Sequence, residues 1–231
     1  MILTGNSRGM ILTGNSHVNS REIDMTKTVP QDRRPARGKR AAGRSSARDR
    51  VFRTAADLFY RKGIRAIGVE TIAAEAGTSK MSLYRNFPSK DELVAEWLRD
   101  HDVQFWKAWD AMSHKYPDDP RKQLKTAFAL LAKHVADPRA RGCPMANAAV
   151  EITEKGHPAR KVIETHKTKL RARLTELCTL MGAWNPGLLA DQLFLLMEGA
   201  QVSTQTMGKR GPARNVARGA QALIEAHAPA S

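Results

Sequence analysis

Long hydrophobic runs are missing from this sequence of 231 residues. No stretch approaches the roughly 18–20 apolar residues that cross a bilayer, and the N-terminus has no secretory hydrophobic core, so a cytoplasmic protein is expected. Cysteine is scarce: Cys143 and Cys178 stand far apart without metal-ligand spacing. A cytosolic setting argues against a disulfide between them. The seven histidines lack zinc-site spacing as well, and no cofactor is expected. A glycine-rich phosphate loop is absent, as is any recognisable Ser/His/Asp or Cys/His motif. β-alternation of useful length is also missing, which leaves an all-α fold of about nine helices. Acidic residues run short, with 23 Asp and Glu against 38 Lys and Arg, a formal charge of +15. That balance favours polyanions, nucleic acid or acidic membrane, through long-range attraction and counterion release.

Residues 1–44 read as a disordered basic tail. MILTGNS occurs twice, at Met1–Ser7 and Met10–Ser16, a unit too short for a solenoid. It reads as a duplicated leader or a misassigned start, with Met10 and Met25 as alternative starts. From Arg33 to Arg44 the chain is rich in Arg, Lys, Pro and Gly and poor in apolar residues, so it cannot build a core. It is either a solvated tail or an arm that follows phosphates beside a main site.

Order is expected from Ser46, where Ser46-x-x-Asp49 resembles a capping box. Val51, Phe52, Ala55, Ala56, Leu58 and Phe59 then mark a buried helix that Gly63 ends. Val69, Ile72, Ala73 and Ala76 give the next apolar stripe, closed by Gly77 in a left-handed position. Ser79 is the N-cap of a further short helix that Pro88 stops. On it Leu83 and Phe87 face inward, while Met81 and Arg85 point the other way, flanked by Ser82 and Tyr84. Two short helices across a glycine turn, the second with such a face, read as a DNA-binding helix-turn-helix. Ser89-x-x-Glu92, a full capping box, starts a helix that runs to about Lys115. Asp119-Pro120, Cys143-Pro144, Pro158, Asn185-Pro186 and Pro212 announce the later helices.

The segment from Val51 to Leu98 resembles the N-terminal domain of TetR-family transcriptional regulators. The residues that carry the likeness are Ala55, Leu58, Phe59 and Gly63, then Ile72-Ala73-x-x-Ala76-Gly77. Ser79-Lys80, Leu83-Tyr84-x-x-Phe87 and Ser89-Lys90-x-Glu92-Leu93 complete it. The chain departs from the family pattern at Gly68, where a capping Thr is usual, and at Thr78, where Val is usual. The resemblance implies a homodimer whose two heads dock a palindromic operator in double-stranded DNA. It also implies a C-terminal domain that binds a small molecule and sets the spacing of the heads, most often in a repressor. On this reading 45–92 is the DNA-binding domain and 93–231 the ligand-binding and dimerisation domain.

The DNA-binding candidates are Ser79, Lys80, Met81, Ser82, Tyr84, Arg85 and Asn86, with Arg48, Arg50 and Lys90 as phosphate contacts. Arg85 suits bidentate pairing with guanine, and Met81 suits a thymine methyl. Tyr84 resembles the family's phosphate-touching tyrosine. Trp97, His101, Phe105, Trp109, Phe128, His134, Met145, Asn147 and His166 are the effector candidates, and they favour a hydrophobic or aromatic molecule. An aromatic stripe at helical spacing is more often plain core than pocket. Cys143 before Pro144 is either a reactive thiol at a helix start or a buried small residue. For the dimer seam the small-residue patch Gly199, Ala200 and Ser203 and the apolar Leu189, Leu193, Leu196, Val216, Ala220 and Leu223 are expected. The rival functions are a non-specific DNA-compacting protein and, more weakly, an enzyme with an unrecognised site.

Overall fold

The structure, a computed structural model, describes residues 46–208 and 210–228. The expectations for the basic tail at 1–44 lie outside the described residues. Among the described residues there are nine α-helices, one 3-10 turn and no strand.

Helix α1, Ala47–Lys62, starts at a complete capping box: Ser46 accepts the Asp49 N–H at 3.0 Å, and the Asp49 carboxylate accepts the Ser46 N–H. It ends at Gly63, whose φ of 90° an L side chain rarely adopts. Helix α2, Val69–Glu75, begins at Gly68 without a side-chain cap. Gly77, at φ 62°, then turns the chain, and the Thr78 N–H reaches the Ala73 carbonyl at 2.9 Å. Helix α3, Lys80–Asn86, is capped by Ser79, which accepts the Ser82 N–H.

Helix α4, Lys90–Ser113, is 24 residues long, about 36 Å at 1.5 Å per residue. Only half of its expected capping box forms: Ser89 accepts the Glu92 N–H, whereas the Glu92 carboxylate lies 3.6 Å from Arg99. Then follow α5, Pro120–Ala136, α6, Pro144–Glu151, α7, Pro158–Leu180, and α8, Pro186–Met207, each with proline in its first turn. The last element starts as a 3-10 turn, Pro212–Asn215, and continues as α9, Val216–Ala226.

Burial divides into two cores, and α4 belongs to both. Leu93, Val94, Trp97 and Leu98 pack with α1–α3, and α6 and the first turns of α7 join them through Met145, Ala148, Ala159 and Ile163. Trp106, Trp109 and Met112 pack with α5, the rest of α7, α8 and α9. The expected boundary between residues 92 and 93 therefore falls inside a continuous core. The head is keyed to the body by packing as well as by the covalent helix.

The expected dimer seam needs correction. Leu189, Leu193, Ala200, Val216 and Ala220 are at most 5% exposed within a single subunit. They fill its own core because α8 packs against both α7 and α9, which covers two of its faces. Leu196, Ser203 and Leu223 are partly covered, and Gly199 is exposed. The side of α8 that stays open carries Leu188, Leu195 and Val202 at seven-residue intervals. Nothing lies within 4 Å of the Cβ position of Gly199 on the same helix.

Candidate nucleic-acid interface and interior cavity

Helix α3 is held by its inner residues and leaves its outer ones open. Leu83 is fully buried and Phe87 nearly so, while Met81 is 67% and Tyr84 42% exposed. Arg85, also exposed, reaches back one turn to Met81, with Nη2 3.5 Å from Sδ. Lys80 pairs with Glu70 of α2 at 2.5 Å; its hydrogen bond and charge raise the lysine pKa and lower that of the carboxylate. Both partners are exposed, so water or a phosphate can exchange with the contact.

The remaining DNA-binding candidates are occupied within the head. The Asn86 amide donates to the Ser82 carbonyl at 2.8 Å, folded back along its own helix. Arg48 makes a two-pronged contact with Glu96 at 2.6 and 2.7 Å, and its guanidinium lies 4.7 Å over the Phe87 ring. It clamps α1 to α4 and α3 where a phosphate contact was expected. Arg50 donates to the Ala76 carbonyl at the end of α2. Lys90 donates to the Ile64 carbonyl at 2.6 Å, and partial burial lowers its pKa. Ser79 serves as the cap, and Ser82 is half-buried. Met81, Tyr84 and Arg85, with Lys80 beside them, form the outward surface.

Where the two cores meet there is a cavity of about 70 Å³. Of the effector candidates, His101, Phe105 and Trp109 of α4, His134 of α5 and His166 of α7 line it. Four other candidates lie elsewhere. Trp97 packs on Phe59 at 5.7 Å in the head, and Phe128 and Met145 are wholly buried in the second and first cores. Asn147 donates to the Arg141 carbonyl and accepts from Gln205. An i, i+4 stripe contains every residue on one side of a helix, and only the tertiary packing decides which of them meet a gap.

The walls also hold polar groups the sequence reading missed, among them Tyr60, Lys167, Glu198 and Gln201. Lys167 donates to Glu198 at 2.6 Å and lies 3.5 Å from the Cys143 sulfur. Burial alone would lower the lysine pKa, but Cys143 and Glu198 outweigh it and the net shift is upward. Lys167 is thus a charged ammonium inside the protein. Glu198 gave a usable signal, a carboxylate within the otherwise apolar Leu195–Ala200, because a buried charge demands a partner. Lys167 gave none, since it sits in a run of charges that reads as solvated.

Opposite this pair, His166 Nδ1 lies 2.6 Å from Asp102, whose carboxylate also accepts the Trp106 indole N–H at 2.9 Å. Burial lowers the His166 pKa against the pull of Asp102. His101, its ring centroid 6.2 Å from that of His166, is pushed down to about 3, chiefly by burial and then by His166. The imidazole of His101 is therefore neutral at physiological pH. Tyr60 accepts the Arg141 N–H at 2.8 Å, and burial raises its pKa. Among the described residues no group of three or more His, Cys, Asp or Glu side chains is placed to hold a metal, and no helix is long and apolar enough to cross a membrane.

Comparison with known proteins agrees with this layout. Residues 51–97 match the family model for bacterial regulatory proteins of the tetR family. Over 56 residues the chain is 43% identical to the HTH-type transcriptional repressor KstR2 of Mycolicibacterium smegmatis; the match takes in 24% of this chain and spans 27% of that repressor's length. A TetR-family transcriptional regulator from Streptomyces coelicolor superposes with a TM-score of 0.75 at 24% identity, over 79% of this chain and 90% of that one. The ketosteroid transcriptional regulator KstR2 of Mycobacterium tuberculosis superposes at 0.58 with 21% identity, over 83% of this chain and all of its own. At such identities these two likenesses are of fold.

Proposed function

We propose that this TetR-family transcriptional regulator is a homodimeric, ligand-responsive repressor that reads a palindromic operator through α3 and lets go when a small molecule enters the cavity between its two cores. One observation carries the DNA-reading part: Met81, Tyr84 and Arg85 stand out from a short helix whose Leu83 and Phe87 are anchored in the core. Arg85 can donate two parallel hydrogen bonds to a guanine edge, Met81 can cover a thymine methyl, and the Tyr84 hydroxyl suits a phosphate. Lys80 can exchange Glu70 for a phosphate.

The open strip Leu188, Leu195 and Val202 supports dimerisation. Two copies related by a two-fold axis would cover the same strip on each other. The heads would then meet half-sites about 34–36 Å apart or a multiple of that. The cavity supports the response. At about 70 Å³ it is well below the roughly 300–1,000 Å³ of a site for a drug-sized ligand, so an effector of that size must part α4 from α7 and α8. Since α4 is common to both cores, parting them would shift the head. The shift matters only if the effector prefers the parted arrangement.

The test is fluorescence anisotropy with DNA from the protein's own upstream region and with random duplex. A preference of roughly 10³ or more is expected for an operator, whereas near-equal binding would indicate a DNA-compacting protein. Compounds that raise the melting temperature are then added to the operator complex. Stabilising compounds that leave DNA affinity unchanged would refute the switch.

A further inference from the structure

We infer that the cavity is a covalent sensor site for small soft electrophiles, α,β-unsaturated carbonyl compounds of about five non-hydrogen atoms, with Cys143 as nucleophile and Lys167 as its positioning cation. The inference rests on the effector reading above for the cavity but not for the ligand's size. A compound of about five non-hydrogen atoms adds inside the existing space of about 70 Å³, and it is the bulk of the covalent adduct that would press α4 away from α7 and α8.

Three features converge on it. Cys143 is the N-cap residue of α6 and lines the cavity. Lys167, itself paired with Glu198, holds an ammonium 3.5 Å from the sulfur, placed to stabilise the thiolate that attacks. The indole N–H of Trp109, another wall residue, is buried and has no hydrogen-bond partner. A buried donor left unpaired is costly, and a ligand carbonyl oxygen would satisfy it. Size selects within the class: about 70 Å³ is less than half of the roughly 150 Å³ cavity that accepts benzene.

The chemistry balances without an oxidant. The thiol proton passes to the Glu198 carboxylate or to water. The sulfur electron pair forms a bond to the β-carbon, and the C=C π pair moves onto the carbonyl oxygen as an enolate. A proton from the Lys167 ammonium or from water then reaches the α-carbon, and the lysine recovers its proton from Glu198. In sum, S–H adds across C=C.

Cys178 is an internal control. It is fully buried, and burial alone pushes its thiol up to about 11. The folded protein is incubated at neutral pH with acrylamide or methyl vinyl ketone, and each cysteine is followed by peptide mass spectrometry. Cys143 should react at least about tenfold faster than Cys178, and the two should converge in denaturant, where environment no longer separates them. Lys167→Met should slow Cys143 by about tenfold and Lys167→Arg should restore part of the rate, because the cation and not the bulk is what matters. A maleimide carried on a polyethylene glycol chain should not react in the folded state. Equal rates for the two cysteines in the folded protein, or a Cys143 rate indifferent to Lys167→Met in a variant that melts normally, would overturn the inference. Selective modification of Cys143 that leaves operator affinity unchanged would uphold the reactive site and sink the effector reading instead.

Discussion

Replacing Leu195 with Asp tests the proposed α8 seam without disturbing the subunit's core. Leu195 is 68% exposed in one subunit, so the substitution removes little from the folded protomer. In a two-fold dimer through α8 the side chain becomes covered. Burying a whole leucine contributes about 2 kcal/mol, so the exposed two thirds is worth about 1.4 kcal/mol per subunit and about 3 kcal/mol per dimer. That corresponds to a roughly 100-fold weaker dimer, at about 1.4 kcal/mol per tenfold. Two aspartates facing each other across the axis would weaken it further. Sedimentation velocity over a concentration series measures the constant, and circular dichroism confirms that helix content is kept. Leu193→Asp is the contrast: that residue is fully buried within one subunit, so the substitution should unfold the protein rather than part the dimer. A Leu195→Asp protein with an unaltered dimer constant would refute the α8 seam.

Arg85→Ala should weaken operator binding by about 2–6 kcal/mol, one bidentate base contact of about 1–3 kcal/mol lost in each of the two half-sites, with the dimer intact by sedimentation; Tyr84→Ala should also weaken it. Unchanged anisotropy titrations in both variants would mean that another face reads the DNA. Gly142→Ala should lower stability in urea by more than about 1 kcal/mol, because Gly142 has φ 72° and a Cβ there would come within 3.2 Å of the Gln201 carbonyl. His101 is held neutral in the fold, with a value of about 3, so the unfolded chain takes up the proton first as pH falls. Its contribution is present above the ordinary histidine value near 6.5 and is lost as pH falls from there toward 3. Going from pH 8 to pH 5 should therefore cost the wild type about 2 kcal/mol more than His101→Gln, measured by urea denaturation at each pH.

The helices and their ends were legible because local chemistry sets them. A serine followed three residues later by an acid, a proline in a first turn, or a glycine where φ must be positive acts within a few residues, whatever the rest of the chain does. The inward and outward sides of α3 were legible for the same reason. A seven-residue helix with Leu83 inside it and Phe87 at its C-cap has one apolar side, and Met81 and Arg85 fall opposite it by geometry alone.

The sequence by itself determined the helices, most of their caps and the outward side of α3, all of which follow from short-range chain geometry. Only the tertiary structure decided what neighbours did to each exposed or apolar side chain. Arg48 looked like a phosphate contact until Glu96 and Phe87, 48 and 39 residues away, were found to hold it. Leu193 looked like seam until α7 and α9 were found on either side of α8. Lys167 carries no local mark of its role; packing alone sets it between Glu198 and Cys143. Burial and pairing depend on contacts between distant segments, and helical periodicity, which gives a direction from the axis, does not say what waits there.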